Sequence, residues 1–336
     1  MKRITIKDIA RLAGVSISTV SRALHDHPDL SSDIIQKIKS IADEQHYIPN
    51  TTALNLKSKN SKLIALIVPE ISMFYIPEII KAVSELSLKN GYRLLILSSD
   101  ENSDKEIENI KISIQSGVEG ILVSLCNNSR IQDHIQSLLD LGISLVLFDK
   151  TVDHPMVDTV TIQDELVAHE AIQFLSDHQC NPILCVLGNP GLSITQARKR
   201  GIEQFAQKKS DLDIQFCFAN NSFEAKHNTK KFLQSNQSIN GLFLMSDEIL
   251  LGVSELFRQS SSVSGIRQVI TISEGWLPNL IEFPLHFYVQ SGKEMAHSAL
   301  DLLFQKIKSS QENLSAQHRI IPLELRKNSF CDLDEV

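Results

Sequence analysis

Residues Thr5 to Leu24 constrain the fold more than any other segment, because they have the layout of two short helices joined by a tight turn. Thr5 can cap the first helix, and Asp8 stands three residues later as the acid of a capping box. Gly14 occupies the turn, where glycine adopts a positive φ at little cost. Ser16 can then cap the second helix. The segment therefore predicts a helix-turn-helix, a motif whose second helix enters the major groove of DNA.

The apolar residues of both helices recur at helical spacing, which predicts the faces that are buried. In the first helix we expect the buried face to comprise Ile9, Leu12 and Ala13. In the second helix, Val20 and Leu24 face inward. The residues that then turn outward, toward the groove of a bound duplex, are Ile17, Ser18, Ser21 and Arg22.

A third helix begins at Ser32 and Asp33, and its apolar stripe comprises Ile34, Ile35, Ile38, Ile41 and Ala42. Three helices are the minimum that buries a shared core, so the N-terminal residues are predicted to form an all-α headpiece. Residues 50–57 follow it as a short helix. Because nucleation makes isolated helices below about 12 residues marginal in water, we expect this helix to fold only when it is paired on DNA.

The charge of the chain is unevenly divided. The formal net charge is −7, but residues 1–62 contain ten basic and six acidic side chains, a net of +4, which leaves −11 for the remainder. A basic head on an acidic body is what contact with phosphates predicts, because only the head should meet the duplex.

From residue 63 the pattern changes to short β-branched runs alternating with amphipathic stretches, which predicts parallel sheets with helices on both faces. The first series comprises strands at 63–68, 93–98, 120–124 and 144–148 and helices at 76–90, 104–116 and 132–141. The second series comprises strands at 157–162, 183–187, 215–218, 241–244 and 268–272 and helices at 164–179, 196–208, 223–234 and 247–259.

Two similar α/β units in tandem predict a two-lobed body with a cleft between the lobes. A helix near 293–307 follows a further crossing, so the chain returns to the first lobe there. The predicted domains are a headpiece at 1–48, a hinge helix and linker at 49–61, and an effector-binding and dimerisation domain at 62–336. Within the last domain, the N-lobe takes about 62–160 and 290–320, and the C-lobe about 161–289 and 321–336.

Three motifs make the headpiece specific: Ile6-Lys7-Asp8-Ile9-Ala10, Gly14-Val15-Ser16 continuing to Thr19-Val20-Ser21-Arg22, and Tyr47-Ile48-Pro49-Asn50. With them, residues 4–57 resemble the headpiece and hinge of the lactose/galactose repressor (LacI/GalR) family of bacterial transcriptional regulators. Similar motifs recur to the C-terminus, where residues 321–329 resemble the final strand and Arg-x-x-Ser tail of that family. The resemblance implies a hinged two-lobe body like that of a periplasmic sugar-binding protein.

The resemblance also implies a function. We expect a sequence-specific transcriptional regulator, a repressor, that binds a palindromic operator as a dimer and is controlled allosterically by a small ligand in the cleft. The expected partners are double-stranded operator DNA, a sugar or sugar derivative and a second copy of the chain, in the cytoplasm. Only seven residues follow Ser329, which is too few for a heptad-repeat tetramerisation tail, so the expected assembly is a homodimer.

Positions that match the family imply the DNA contacts. Base contacts are implied for Ile17, Ser18 and Arg22, where the arginine can bind guanine and the isoleucine can pack on thymine methyls. Phosphate contacts are implied for Ser16, Thr19 and Ser21. Further DNA contacts are implied for Thr5, Asn50, Ala53 and Leu56. Leu56 matches the wedge that opens a base step in the minor groove, and its alternative interpretation is an ordinary packing leucine.

Ligands of open parallel sheets bind at the carboxyl ends of the strands, and several residues there match effector-contacting positions of the family. They are Phe74, Tyr75, Ser124, Asp149, Lys150, Arg198, Asp247 and Glu274. The guanidinium of Arg198 suits sugar hydroxyls or a carboxylate. Asp247 could instead only cap a helix, and Phe74 and Tyr75 could be interlobe packing. Glu274 stands where the family usually has aspartate, so its longer side chain reaches a different place.

The sequence suggests no catalytic residue, no metal site and no cofactor. The five cysteines are scattered without a C-x-x-C pair, which predicts reduced thiols, and neither a phosphate-binding glycine loop nor a run of ~20 apolar residues for a membrane span is present. Two alternatives to a regulator are a cytoplasmic sugar-binding module and an enzyme with an appended DNA-binding head. The first leaves the basic head unexplained, and turnover assays with sugars would reveal the second.

Overall fold

The computed structural model describes residues 4–47, 61–72, 74–126, 128–259, 263, 265–309 and 315–330. By the contacts between their residues, these divide into two units, with the boundary between Ser61 and Lys62. The first unit is the headpiece, and the second is a two-lobed α/β body.

Local signals determine the ends of the headpiece helices, which are α1 (Ile6–Ala13), α2 (Ile17–Leu24) and α3 (Ser32–Glu44). The capping box predicted at the first helix is present, with the Thr5 N–H donating to Asp8 Oδ2 at 3.0 Å. Gly14 ends that helix at a φ of 71°, in the left-handed region. The Ser16 side chain caps α2 by accepting the N–H of Thr19 at 3.1 Å.

The core of the headpiece is small and consists of Ile9, Ala10, Ala13, Val20, Ala23 and Ile38. Two predicted core residues are exposed instead, because Leu12 is 51% and Ile34 is 39% accessible. On α1 the buried arc includes Ala10, and at ~100° per residue Leu12 lies on its flank. The sequence prediction was wrong for Leu12 because the buried arc of α1 consists of Ile9, Ala10 and Ala13.

The first sheet of the body has the strand order β11-β5-β4-β3-β1-β2, and its paired strands are parallel. Its strands are β1 (Leu63–Val68), β2 (Arg93–Ser98), β3 (Gly120–Val123), β4 (Ser144–Phe148), β5 (Asp158–Ile162) and β11 (His318–Ile321). The helices of this lobe are α4 (Ile76–Lys89), α5 (Ser103–Gln115), α6 (Gln132–Asp140) and α11 (Gly292–Lys308). They cover both faces, so β1, β3 and β4 are almost wholly buried.

The second sheet has the order β12-β10-β9-β8-β6-β7. Its strands are β6 (Ile183–Leu187), β7 (Ile214–Phe218), β8 (Gly241–Leu244), β9 (Gln268–Ser273), β10 (His286–Val289) and β12 (Glu324–Lys327). The helices of this lobe are α7 (Asp164–Asp177), α8 (Ser193–Lys208), α9 (Ser222–Ser235) and α10 (Asp247–Gln259). The predicted α/β body with parallel sheets and helices on both faces is thus confirmed.

Two strands differ from the sequence prediction. The short strands β10 and β11 were not predicted, and the final strand expected within 321–329 is β12, at Glu324–Lys327 in the second lobe. β11 joins the first sheet, whereas β12 pairs with β10 in the antiparallel sense at the edge of the second. Pro322 lies between these two strands, where it cannot donate to a ladder.

The described chain passes between the lobes at three places. It leaves the first sheet after β5, returns to the first lobe between β10 and α11, and leaves again between β11 and β12. The lobes have separate cores, with α11 packed in the first and α7 in the second. These connections place the residues that follow β5 and β10 beside the cleft between the lobes.

Close helix packing gives the first prediction. A Cβ at Gly201 of α8 would lie 1.9 Å from the carbonyl oxygen of Glu165 on α7. We expect Gly201→Ala to lower the free energy of unfolding by about 1–3 kcal/mol, as overpacking does, although alanine has the higher helix propensity. Urea denaturation measures this change, with Gln207→Ala at an exposed position of α8 as the control. Equal or increased stability of Gly201→Ala would contradict the packing.

Candidate DNA-contact helix and ligand cleft

The outward face of α2 is the candidate DNA-contact surface. Ile17 is 44% exposed, and Ser18 and Arg22 are also exposed, while Val20 and Ala23 on the opposite face are buried. The three side chains therefore form one accessible edge.

Hydroxyl groups organise the N-terminus of this helix. The Ser16 hydroxyl lies 2.7 Å from that of Ser18 and 2.8 Å from that of Thr19. The Ser16 hydroxyl has three partners with these two contacts and its cap of the Thr19 N–H, whereas the hydroxyls of Ser18 and Thr19 keep capacity for a further hydrogen bond. Together with the partial positive charge at a helix N-terminus, this arrangement suits a phosphate oxygen.

The cations of the headpiece differ in their partners. Arg11 pairs with Asp8 at 3.3 Å and Lys39 pairs with Asp26 at 2.7 Å. Arg22 makes no ion pair with any residue that the structure describes, and its side chain is exposed. The guanidinium of Arg22 is therefore available to donate hydrogen bonds to an acceptor on a bound partner.

The cleft of the body contains a cavity at the carboxyl ends of strands from both sheets. Its lining comprises Pro69, Phe74, Tyr75, Ile76, Asp149, Lys150, Ser246, Asp247, Glu248, Ile272, Ser273, Glu274 and Gln290. The cavity volume of about 80 Å³ has room for only a few water molecules. A larger ligand therefore requires the lining or the lobes to move. A wider cavity of about 560 Å³ shares Asp149 and reaches Asp164 and Ser193.

Aromatic side chains close one side of the smaller cavity. The ring of Phe74, which follows β1, lies 5.4 Å from the ring of Trp276, which follows β9. This contact joins the two lobes. The hydroxyl of Tyr75 is covered and has no hydrogen-bond partner among the described residues. An unpartnered buried hydroxyl in a cavity is a candidate ligand contact.

Asp149 is the central acid of the first lobe. It follows β4, and its two oxygens accept long hydrogen bonds from Ser124 Oγ at 3.3 Å and Gln290 Nε2 at 3.4 Å. Its neighbour Lys150 is buried and donates to Glu101. The first lobe thus presents an acid with spare acceptor capacity beside a lysine whose charge is compensated.

The acids of the second lobe have different roles. Asp247 begins α10, and its two oxygens accept the Ser273 hydroxyl and the N–H of Glu274. It therefore shapes the loop after β9. Glu274 crosses the cleft, where its Oε2 accepts the N–H of Gly292 at 2.9 Å, at the first residue of α11. The extra methylene of glutamate, compared with the aspartate common in the family, supplies this reach.

Arg198 is buried and its charge is paired. Its Nε donates to Asp164 Oδ1 at 2.8 Å, and its Nη1 donates to the carbonyl oxygen of Met245 at 2.5 Å. The Arg198 side chain is only 4% exposed. The role of Arg198 as a ligand clamp stays a prediction, and in the structure its guanidinium is engaged with an acid of its own lobe.

Burial dominates the protonation of the cleft. Desolvation raises the pKa of Asp149 and of Asp164. The charge of Lys150, and to a smaller extent that of Arg198, lowers the pKa of Asp149, and Arg198 lowers that of Asp164. Burial also raises the pKa of Tyr75, and the negative charges of Asp149, Glu274 and Asp164 raise it further. The pKa of Glu274 rises to about 7, mainly through burial. Raised pKa values keep a larger fraction of these carboxyl groups protonated, so the site can both accept and donate hydrogen bonds.

The structure brings most of the predicted cleft residues together. Phe74, Tyr75, Asp149, Lys150, Asp247 and Glu274 line the cavity, while Ser124 and Arg198 lie behind it through their contacts with Asp149 and Asp164. Sequence reasoning missed Asp164 and Gln290. Both follow strand ends, so the rule that ligands bind there could have found Asp164; Gln290 follows β10, which was not predicted.

Of the predicted DNA contacts, Asn50, Ala53 and Leu56 lie outside the described residues, whereas Thr5 caps α1.

Among the described helices, none combines the length and apolar character that crossing a bilayer requires. The four described cysteines are buried free thiols.

A helix-turn-helix headpiece and a two-lobed body with a cleft define the class of DNA-binding regulators built on a periplasmic-binding-protein-like domain. Residues 64–308 match the periplasmic binding protein domain, and residues 5–50 match the bacterial regulatory proteins of the lacI family. The chain belongs to the lacI family of transcriptional regulators.

Curated relatives extend over nearly the whole chain. The HTH-type transcriptional regulator MalR of Clostridium butyricum is 26% identical over 341 residues, which cover 97% of this chain and 98% of the relative. The sucrose operon repressor of Streptococcus mutans is 28% identical over 306 residues, which cover 90% of this chain and 92% of the relative. The fold is also similar to that of the lac repressor in a crystal structure of its dimer bound to operator and the anti-inducer ONPF, with a TM-score of 0.83. The two sequences are 18% identical, and the match covers 98% of this chain and 99% of the other.

The raised pKa of Glu274 gives the second prediction. The folded protein holds the proton of Glu274 up to about pH 7, whereas a free glutamate loses it near pH 4.5. Between these two values the folded state binds more protons than the unfolded state, so the free energy of unfolding falls as the pH rises. Glu274→Gln keeps an oxygen for the Gly292 N–H without the titration. We expect the variant to gain thermal stability relative to the parent as the pH rises from about 5 to about 8. Parallel curves by calorimetry would contradict a titrating Glu274.

Proposed function

We propose that this chain is a homodimeric repressor that binds a palindromic operator and is controlled by a small carbohydrate ligand in the interlobe cleft. In this proposal the headpiece at 1–48 reads the DNA, residues 49–61 connect it, and residues 62–336 bind the ligand and dimerise. The single observation that supports it most is the exposed outer face of α2, whose Arg22 makes no ion pair with any residue that the structure describes.

The chemistry of α2 supports sequence-specific binding. Arg22 can donate two parallel hydrogen bonds to guanine, and Ile17 can contact a thymine methyl. Ser16, Thr19 and Ser21, together with Thr5, are suited to fix the register through phosphates. In the connecting segment, we propose Asn50 and Ala53 as further contacts and Leu56 as a minor-groove wedge.

The closed cavity supports allosteric control. A ligand of sugar size needs more room than about 80 Å³, so in this proposal it moves the lining of the cavity or the lobes that Phe74 and Trp276 join. A ligand changes DNA affinity when it binds two conformations differently, and coupling of about 1–3 kcal/mol suffices. Relatives named as sucrose and ribose operon repressors support a carbohydrate as the ligand class.

Selection from a random duplex pool by the full-length protein tests the proposal. We expect enrichment of a palindromic site that binds at least about 10³-fold more tightly than random DNA. At least one sugar of a broad panel should then change that affinity by about 5- to 150-fold. No preference for any sequence, with or without sugars, would refute the regulator.

The recognition helix gives the third prediction. Arg22→Ala should weaken operator binding by about 5- to 150-fold, the equivalent of about 1–3 kcal/mol, and should relax the preference at one base pair. Arg11→Ala is the matched control, because it also removes one exposed arginine but lies on α1 and is paired with Asp8. A gel-shift titration compares both variants on operator and random duplex. Equal losses on both DNAs for the two variants would show that Arg22 supplies charge without reading sequence.

A further inference from the structure

The ligand cavity is rich in acidic side chains. Its described lining includes four carboxylates, those of Asp149, Asp247, Glu248 and Glu274, and one cation, Lys150. Asp164 lies close enough to raise the pKa of both Asp149 and Tyr75, so a fifth carboxylate contributes to the potential. A ligand that enters the cavity therefore meets several carboxyl groups, among which Glu274, whose pKa is about 7, is only partly charged at neutral pH.

Both cations near the cavity are neutralised by the chain itself. Lys150 donates to Glu101, and the lysine side chain is only 11% exposed. Arg198 donates to Asp164 from Nε and pairs with it through Nη2, and its Nη1 is taken by Met245. Among the described residues, no unpaired cation faces this cavity. A phosphate would have to displace a buried carboxylate from its partner while remaining close to Asp149.

The unused hydrogen-bonding capacity is mostly that of acceptors. Asp149 receives only two long hydrogen bonds, although a carboxylate has about four acceptor sites. Glu274 uses Oε2 for the Gly292 N–H. The Tyr75 hydroxyl is covered and has no described partner. Sugar hydroxyls can donate to both carboxylates and either donate to or accept from the tyrosine.

Resting on the proposed function, we propose that the effector of this chain is an uncharged, hydroxyl-rich sugar, and that the Arg198–Asp164 and Lys150–Glu101 pairs make the cleft reject phosphorylated and carboxylated sugars. The pairs therefore act as a charge filter. Arg198 orients Asp164 and does not bind an anionic group of the ligand.

Matched pairs of ligands test the filter on the full-length protein. The panel contains glucose, fructose, galactose, ribose, sucrose and maltose, each with its monophosphate, and glucuronate as the carboxylated sugar. Trp276, the one tryptophan of the chain, lies half-exposed beside Phe74 and reports binding by fluorescence, with calorimetry as the second measurement.

We expect at least one neutral sugar to bind, and its phosphate to bind at least tenfold more weakly. A phosphorylated or carboxylated sugar that binds as tightly as its neutral partner, or more tightly, would overturn the filter while leaving a ligand-controlled regulator intact. Failure of every sugar, charged or neutral, would refute the carbohydrate ligand of the proposed function and the filter with it.

Removing the acid that pairs with Arg198 should reverse the preference for neutral over phosphorylated sugars. Asp164→Asn leaves Arg198 without its counter-charge, so we expect the affinity for the phosphorylated partner of the bound sugar to rise at least tenfold. Asp301→Asn is the matched control, because it breaks an exposed carboxylate–arginine pair with Arg319 on the surface of the first lobe. That control should leave both affinities unchanged.

A second variant keeps the test decisive if Asp164→Asn does not fold, which circular dichroism would reveal. Glu101→Gln releases Lys150 in the other lobe, where the glutamate side chain is 32% exposed. We expect the same gain for phosphorylated sugars. If the folded variants show no gain in affinity for phosphate esters, the ion pairs do not filter charge and the inference is wrong.

Discussion

The three crossings of the chain between the lobes are the constraint on which the body depends. Because they tie the two sheets together beside one cleft, residues that follow β1, β4, β8, β9 and β10 line a single cavity. Each sheet alone would present its strand ends to solvent. The two sheets together enclose acids whose pKa values burial raises, as Asp149 and Glu274 illustrate. The chemistry of the cleft thus follows from its topology.

Charge compensation within the cleft depends on the same enclosure. A buried guanidinium without a partner costs much free energy, and Asp164 supplies that partner for Arg198. The same reasoning applies to Lys150 and Glu101. Once these pairs have formed, the remaining carboxylates determine the electrostatic character of the cavity. Motif similarity identifies Arg198 but gives no information about its partner, which lies 34 residues away in sequence.

The headpiece was predictable because its determinants are local. The capping box of Thr5 and Asp8, the left-handed Gly14 and the Ser16 cap act within a few residues and give the helix ends directly. The same holds for the strands of the body, whose apolar runs are continuous. The errors arose where tertiary packing decided the outcome: α1 buries Ala10 and leaves Leu12 half-exposed, and β10 pairs with β9 and with the distant β12.

The sequence by itself determined the helix-turn-helix, the alternation of strands and helices, and six of the thirteen residues that line the smaller cavity. It could do so because hydrophobic periodicity, capping and turn preferences are properties of short segments. Only the tertiary structure decided that Arg198 is paired, that Glu274 reaches Gly292, that the Tyr75 hydroxyl is covered, and that the final strands divide between two sheets. Those outcomes depend on distances between segments far apart in the chain, which local preferences do not encode.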